Sequence, residues 1–119
     1  MDLVGVAFRE ELERGIKASE AVSDHVALIA DADGFELLAE GDADNVNLKL
    51  HKSMLPALKA TGRSKSLFSL DYFANMVKAA KGADGVHLHL GSDYPVRMEF
   101  DIAGGNGHVT YLLAPRIES

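Results

Sequence analysis

No cysteine occurs among the 119 residues. That excludes disulfides and thiolate metal sites, and it favours a reducing interior. No stretch approaches the ~20 apolar residues that cross a bilayer as a helix. The opening MDLVGVAF has neither a basic leader nor a cleavage-like site, so no signal peptide is expected. Positive charge is scarce as well: 12 Lys and Arg stand against 18 Asp and Glu, a net charge of −6. Tight binding of nucleic acid over the whole surface is therefore excluded, because the phosphate contribution needs clustered Lys and Arg. A local basic face is still possible, so the placement of the twelve basic residues carries more information than their sum. These absences lead us to expect a soluble intracellular protein. With 47% apolar residues, the chain has enough for the core of one domain.

Residues 2–8, DLVGVAF, read as a strand. Residues 10–22, EELERGIKASEAV, read as a helix, with Leu12, Ile16, Ser19 and Val22 on one face and Glu10, Glu13, Arg14, Lys17 and Glu20 on the other. Gly15 costs about 1 kcal/mol against Ala in mid-helix, which points to close packing there. Strands are predicted at 25–30 (HVALIA), 35–40 (FELLAE) and 45–51 (NVNLKLH), with a turn at Asp33-Gly34. Residues 53–63 give no clear period, and Pro56 weakens a helix there. The order then repeats. A strand at 65–70 (KSLFSL) leads to a helix at 72–81, capped by Ser69 or Asp71 and ended by Gly82. Strands follow at 85–90, 96–102 and 108–113, the last ending YLL as if buried. The chain thus reads βαβββ twice. The fold class is α+β, an antiparallel sheet with both helices on one face.

Four candidate chemistries follow from local pattern. His87 and His89 share one strand face, as two metal ligands would, but no third ligand is visible and a half-exposed strand explains them better. Asp31, Asp33 and Gly34 suggest a calcium loop but lack the later acidic ligands, so a hairpin is expected. GGNG at 104–107 precedes a strand rather than a helix, so it too reads as a hairpin and not a phosphate loop. The basic residues are the remaining signal: Arg14 and Lys17 share a face of the first helix, and Lys78 and Lys81 a face of the second. Pairs Glu10–Arg14 and Glu13–Lys17, in the favourable i,i+4 order, also fit an ordinary solvated helix face. No catalytic arrangement, metal or cofactor is called for.

The segments SLFSLDYF, MVKAAKGADGVHLHL and GHVTYLLAPRIES, with ERGIKASEAVSDHVAL and AEGD, resemble the C-terminal half of archaeal and eukaryotic sliding clamps, the proliferating cell nuclear antigen family. The resemblance covers essentially the whole chain, residues 1–119, as one of the two domains a family subunit holds. It implies a non-enzymatic processivity factor and docking platform in DNA replication and repair. The alternatives are a half-clamp module that binds peptides without encircling DNA, and a small-ligand enzyme using the histidine strand or an acidic turn. The family's helices line a hole for double-stranded DNA, which implies DNA-facing roles for Arg14, Lys17, Lys78 and, more weakly, Lys81. Its partner-peptide pocket falls on Pro95, Leu112 and Ala114, with Ser69 nearby and Pro115 and Arg116 in the accompanying tail. Its edge strands fall on Asn45, Val46, Asn47, Leu48, Lys49 and Leu50, and on His108, Val109, Thr110, Tyr111 and Leu112. The implied partners are duplex DNA, peptides of polymerase, clamp loader, ligase and nuclease, and other clamp domains, with no membrane. The implied compartment is the cytoplasm of an archaeal-like cell, or the nucleus in a eukaryote.

Overall fold

Among the described residues, alternating apolar and polar residues build nine strands, and two amphipathic segments build two helices. A computed structural model describes residues 2–6, 9–60, 62–83 and 85–116. The first unit runs β1 (Asp2–Val6), α1 (Arg9–Glu20), β2 (His25–Asp31), β3 (Gly34–Glu40) and β4 (Asn45–His51). A 3₁₀ turn at Lys52–Met54 leads to a short strand, β5 (Ala57–Lys59). The second unit runs β6 (Ser64–Ser69), α2 (Leu70–Ala79), β7 (Val86–Leu90), β8 (Val96–Ile102) and β9 (Gly107–Leu113). Residues 7 and 8, the predicted end of the first strand, lie outside the described residues.

The antiparallel strands divide between two sheets, a partition the order of elements does not reveal. One sheet is ordered β5-β1-β7-β8-β9 and the other β4-β3-β2-β6. Each unit therefore gives its first strand to the other unit's sheet: β1 pairs with β7, and β6 pairs with β2. This exchange ties the two repeats into one body around one core. The helices pack side by side, α1 against β3 and β4 and α2 against β6 and β9. Leu12, Leu28, Leu37, Phe68, Phe73, Leu88 and Met98 are fully buried between helices and sheets.

Gly15 faces this layer. A Cβ there would lie 3.0 Å from Leu48 Cδ2 and 3.5 Å from Leu37 Cδ2. The glycine thus lets α1 approach β3 and β4, as its helix cost suggested. β9 is not the buried strand that its apolar ending predicted. It is the outer strand of its sheet, with Leu112 70% exposed and Tyr111 40% exposed. Tyr111 is held by stacking on Phe100, with ring centroids 6.1 Å apart.

The two turn motifs are hairpins. Asp31 Oδ1 accepts hydrogen bonds from the backbone N–H of Asp33 (2.8 Å) and Gly34 (3.1 Å), which spends the carboxylate on the β2–β3 turn. Gly104 and Gly105 take the left-handed conformation, φ 66° and 93°, that the β8–β9 turn requires.

Candidate functional site

Two surfaces gather the predicted residues. The first lies where the end of β9 meets β6. The pairing of β8 with β9 sets Val96 opposite Leu113 and Arg97 opposite Leu112. Pro95 therefore lies at the end of the ladder beside Ala114, and Leu112 projects from the face away from the core. Beyond β9 the tail turns towards the second sheet. The Arg116 N–H donates to the Leu67 carbonyl at 2.6 Å, forming an antiparallel bridge onto β6. The same antiparallel sense runs Ala114 towards Ser69, the residue preceding α2. Ser69 occupies the N-cap position with extended backbone, though its side chain makes no cap bond. Pro95, Leu112, Ala114, Pro115, Arg116 and Ser69 thus share one end of the molecule. Leu112, Pro95 and Ala114 are exposed, and Pro115 and Ser69 half-buried.

No local pattern signals how Arg116 is held. One guanidinium nitrogen lies 2.7 Å from His25 Nδ1, 91 residues away in sequence. Since Arg only donates, the His25 nitrogen accepts. Arg116, His25, Ser23, Glu40, Lys65 and Asp93 line a groove of about 400 Å³ on the outer side of the second sheet. The neighbouring loop is also fixed: Ser66 Oγ donates to the Gly91 carbonyl at 2.7 Å and accepts from the Asp93 N–H at 2.7 Å. Asp93 pays with a left-handed backbone, φ 57°.

The second surface lies between the helices. Lys17 and Lys78 line one groove of about 550 Å³ together with Glu13, Ile16, Glu20, Asp71, Ala74 and Asn75. Arg14 is exposed on α1 but does not line that groove. Lys81 is displaced from the predicted helix face. α2 ends at Ala79, and Lys81 lies in the following turn, its N–H bonded to the Lys78 carbonyl at 3.1 Å. The expected Glu13–Lys17 pair is replaced: Glu13 binds the guanidinium of Arg9, one turn earlier. Arg9 is only 7% exposed, and a buried charge takes the nearest carboxylate. Among the described residues, Arg14, Lys17, Lys78 and Lys81 form no ion pair.

Both predicted edges are strands at the ends of sheets. β4 closes the four-stranded sheet with Asn45, Asn47 and Lys49 exposed, Val46 and Leu48 half-buried and Leu50 buried. β9 closes the five-stranded sheet with His108, Thr110, Tyr111 and Leu112 exposed and Val109 half-buried.

His87 and His89 do share a face, but His89 Nε2 is bonded to Glu99 Oε2 at 2.7 Å, while His87 is exposed. His108 joins the same carboxylate at 3.4 Å and binds Asp101 Oδ1 at 2.8 Å. Among the described residues, no three His, Asp or Glu side chains converge as metal ligands would. The bond to His89, opposed by desolvation and aided by His108, holds Glu99 below the usual carboxylate range. The bonds to Asp101 and then Glu99 raise the His108 imidazole above its ordinary value near 6.5. The raised His108 contributes stability that is full below pH 6.5 and is lost as pH rises through its folded value. The lowered Glu99 contributes stability present above pH 4.5 and lost as pH falls through its folded value. The network is therefore strongest between about pH 4.5 and 6.5. We expect His108 to titrate above 6.5 in NMR, and Asp101→Asn to move it back towards 6.5. An unmoved midpoint in that variant would remove Asp101 as the cause.

Comparison with known proteins bears on the family and the fold. Residues 9–116 match the family model described as proliferating cell nuclear antigen, C-terminal domain. The DNA polymerase sliding clamp of Methanocella arvoryzae is 53% identical over 109 residues, covering 92% of this chain and 44% of that protein. Among solved structures, that of A. fulgidus proliferating cell nuclear antigen with the C-terminal region of FEN-1 bound superposes with a TM-score of 0.88 at 35% identity, covering 99% of this chain and 47% of the other. The clamp of Thermococcus kodakaraensis gives a TM-score of 0.86 at 26% identity, covering 97% of this chain and 47% of the other. The chain thus spans less than half the length of these relatives. It belongs to the proliferating cell nuclear antigen family of DNA polymerase sliding clamps, matching that family's C-terminal domain.

Proposed function

We propose that this chain is a non-enzymatic sliding-clamp domain that docks peptides of replication and repair proteins and faces duplex DNA with its helices. The observation that supports it most is the exposed Leu112, set beside Pro95, Ala114 and the bridged tail in a chain of this family. An aliphatic side chain 70% exposed at a strand edge gains by being covered. The similar clamp with the C-terminal region of FEN-1 bound makes a C-terminal peptide of that kind, the nuclease peptide among the expected partners, the first to try. Polymerase, ligase and clamp-loader peptides are further candidates for the same surface. Lys17 and Lys78 would contact phosphate without reading bases, which suits sequence-independent sliding. β4 and β9, both sheet edges, would join neighbouring clamp domains or subunits, since unpaired ladders accept further strands. The compartment consistent with this role is that of the chromosome, the cytoplasm in an archaeal cell.

A nuclease C-terminal peptide, titrated by calorimetry, should bind this chain weakly, between micromolar and millimolar. Leu112→Glu should weaken it at least about tenfold, equivalent to about 1.4 kcal/mol. Equal affinities for both proteins would reject this docking site. A second reading, a module that docks peptides without encircling DNA, is favoured by the mixed charge of the helix groove, where Lys17 and Lys78 meet Glu13, Glu20 and Asp71. Peptide binding with no response of duplex DNA to Lys17→Glu/Lys78→Glu would select it.

A further inference from the structure

A surface meant only to hold phosphate would place lysines without carboxylates beside them. The groove between α1 and α2 does otherwise: Lys17 and Lys78 share it with Glu20 and Asp71, and Glu13 is already engaged by Arg9. Helix stability does not account for Glu20. It is the last residue of α1, where the partial negative charge of the helix end disfavours an anion. It is exposed and, among the described residues, it has no ion-pair partner. Asp71, in the first turn of α2, suits its own helix, yet it too is exposed and free of ion pairs among the described residues. Carboxylates locked in salt bridges would be neutralised towards a ligand. These two keep their charge available to whatever enters the groove.

The scale of the groove makes that charge matter. Lys17, Lys78, Glu20 and Asp71 all line this one groove, and at physiological salt charges are largely screened from one another only beyond about 8 Å. A phosphate drawn to Lys17 or Lys78 thus stands within reach of Glu20 and Asp71. We propose that Glu20 and Asp71 are counter-charges that set the groove's affinity for duplex DNA, keeping the contact weak enough to move along the backbone. This rests on the DNA-facing reading of the helices. At about 8 Å in water, one carboxylate changes phosphate affinity by about two- to threefold, and two by about fivefold.

The test is an amide chemical-shift titration of the 119-residue chain with a short duplex at low salt, a method that reads millimolar affinities. Glu20→Gln/Asp71→Asn should bind about fivefold more tightly, with a steeper fall as salt rises. Thermal midpoints would show that the variant is folded, and loss of Glu20 should not lower stability. Lys17→Gln/Lys78→Gln should weaken binding. If the lysine variant weakens binding and the acid variant leaves affinity and salt slope unchanged, the counter-charge role is overturned and the DNA-facing reading stands. If neither variant changes anything, or no protein binds, both are overturned.

Discussion

Phe68→Ala should lower stability by about 3–5 kcal/mol, the range for truncating a buried phenylalanine. Phe68 is fully buried. It sits on β6, a strand that belongs to the second unit by sequence but pairs with β2 of the first. Its ring therefore fills the place where the two halves exchange strands. The neighbouring backbone cannot collapse into the vacated space, because β6 is fixed on one side by β2 and on the other by the Arg116 bridge. For a domain of this size each kcal/mol moves the midpoint by about 4 °C, so a fall of about 12–20 °C is expected. Calorimetry with intrinsic-fluorescence or circular-dichroism melts would check it. Tyr72→Ala, at a residue 67% exposed on α2, should change stability by less than about 0.5 kcal/mol. A small effect at Phe68, or a comparable one at Tyr72, would contradict the assigned core.

Gly34→Ala should cost about 3 kcal/mol through the backbone rather than the core. A Cβ at Gly34 would lie 2.2 Å from the Leu50 carbonyl oxygen and 3.1 Å from the His51 Cα. Both are main-chain atoms of the paired strand β4, so no rotamer change relieves the clash. The β3–β4 ladder must open at that end, where Gly34 pairs with His51. The damage should be local. Hydrogen exchange at Asn45–His51 should accelerate more than in the five-stranded sheet. Gly62→Ala is the control, since nothing lies within 4 Å of a Cβ there. Its stability should match that of the parent chain to within about 0.5 kcal/mol. Equal stability of the Gly34 variant would mean that β4 is not held as described.

These two sites mark how far the sequence could be read. Leu12, Ile16 and Ser19 recur at helical spacing, and all three are buried on α1. Val96, Met98 and Phe100 alternate on β8 with half-exposed neighbours, as a one-sided strand must. Such features are local, so a period of 3.6 or 2 reveals them. β5 was missed because three residues after Pro56 are too few to show a period. Only pairing with β1 makes them a strand. The division into two sheets was hidden for the same reason, since the partners of β1 and β6 lie in the other repeat. The Arg9–Glu13 bond won over Glu13–Lys17 although both spacings are i,i+4. The choice follows from the burial of Arg9, which the helical pattern does not encode.

The proposed docking surface was legible only through resemblance. Pro95, Leu112 and Ala114 have no distinctive pattern of their own, and β9 read as buried. The bridge from Arg116 to Leu67 and the contact with His25 join residues far apart in sequence, so no window could contain them. The basic face was half legible. Lys17 and Lys78 do meet in one groove, while Lys81 was lost to a helix that ends two residues earlier than its pattern suggested.

The most direct measurement is amide chemical-shift mapping of the 119-residue chain, with a nuclease C-terminal peptide and a short DNA duplex added separately. Two separate footprints are expected. The peptide should move the amides of Leu112, Ala114, Arg116 and Ser69, and the duplex those of α1 and α2 around Lys17 and Lys78. A peptide footprint in the helix groove, a duplex footprint on the outer face of the five-stranded sheet, or no footprint from either ligand would contradict it.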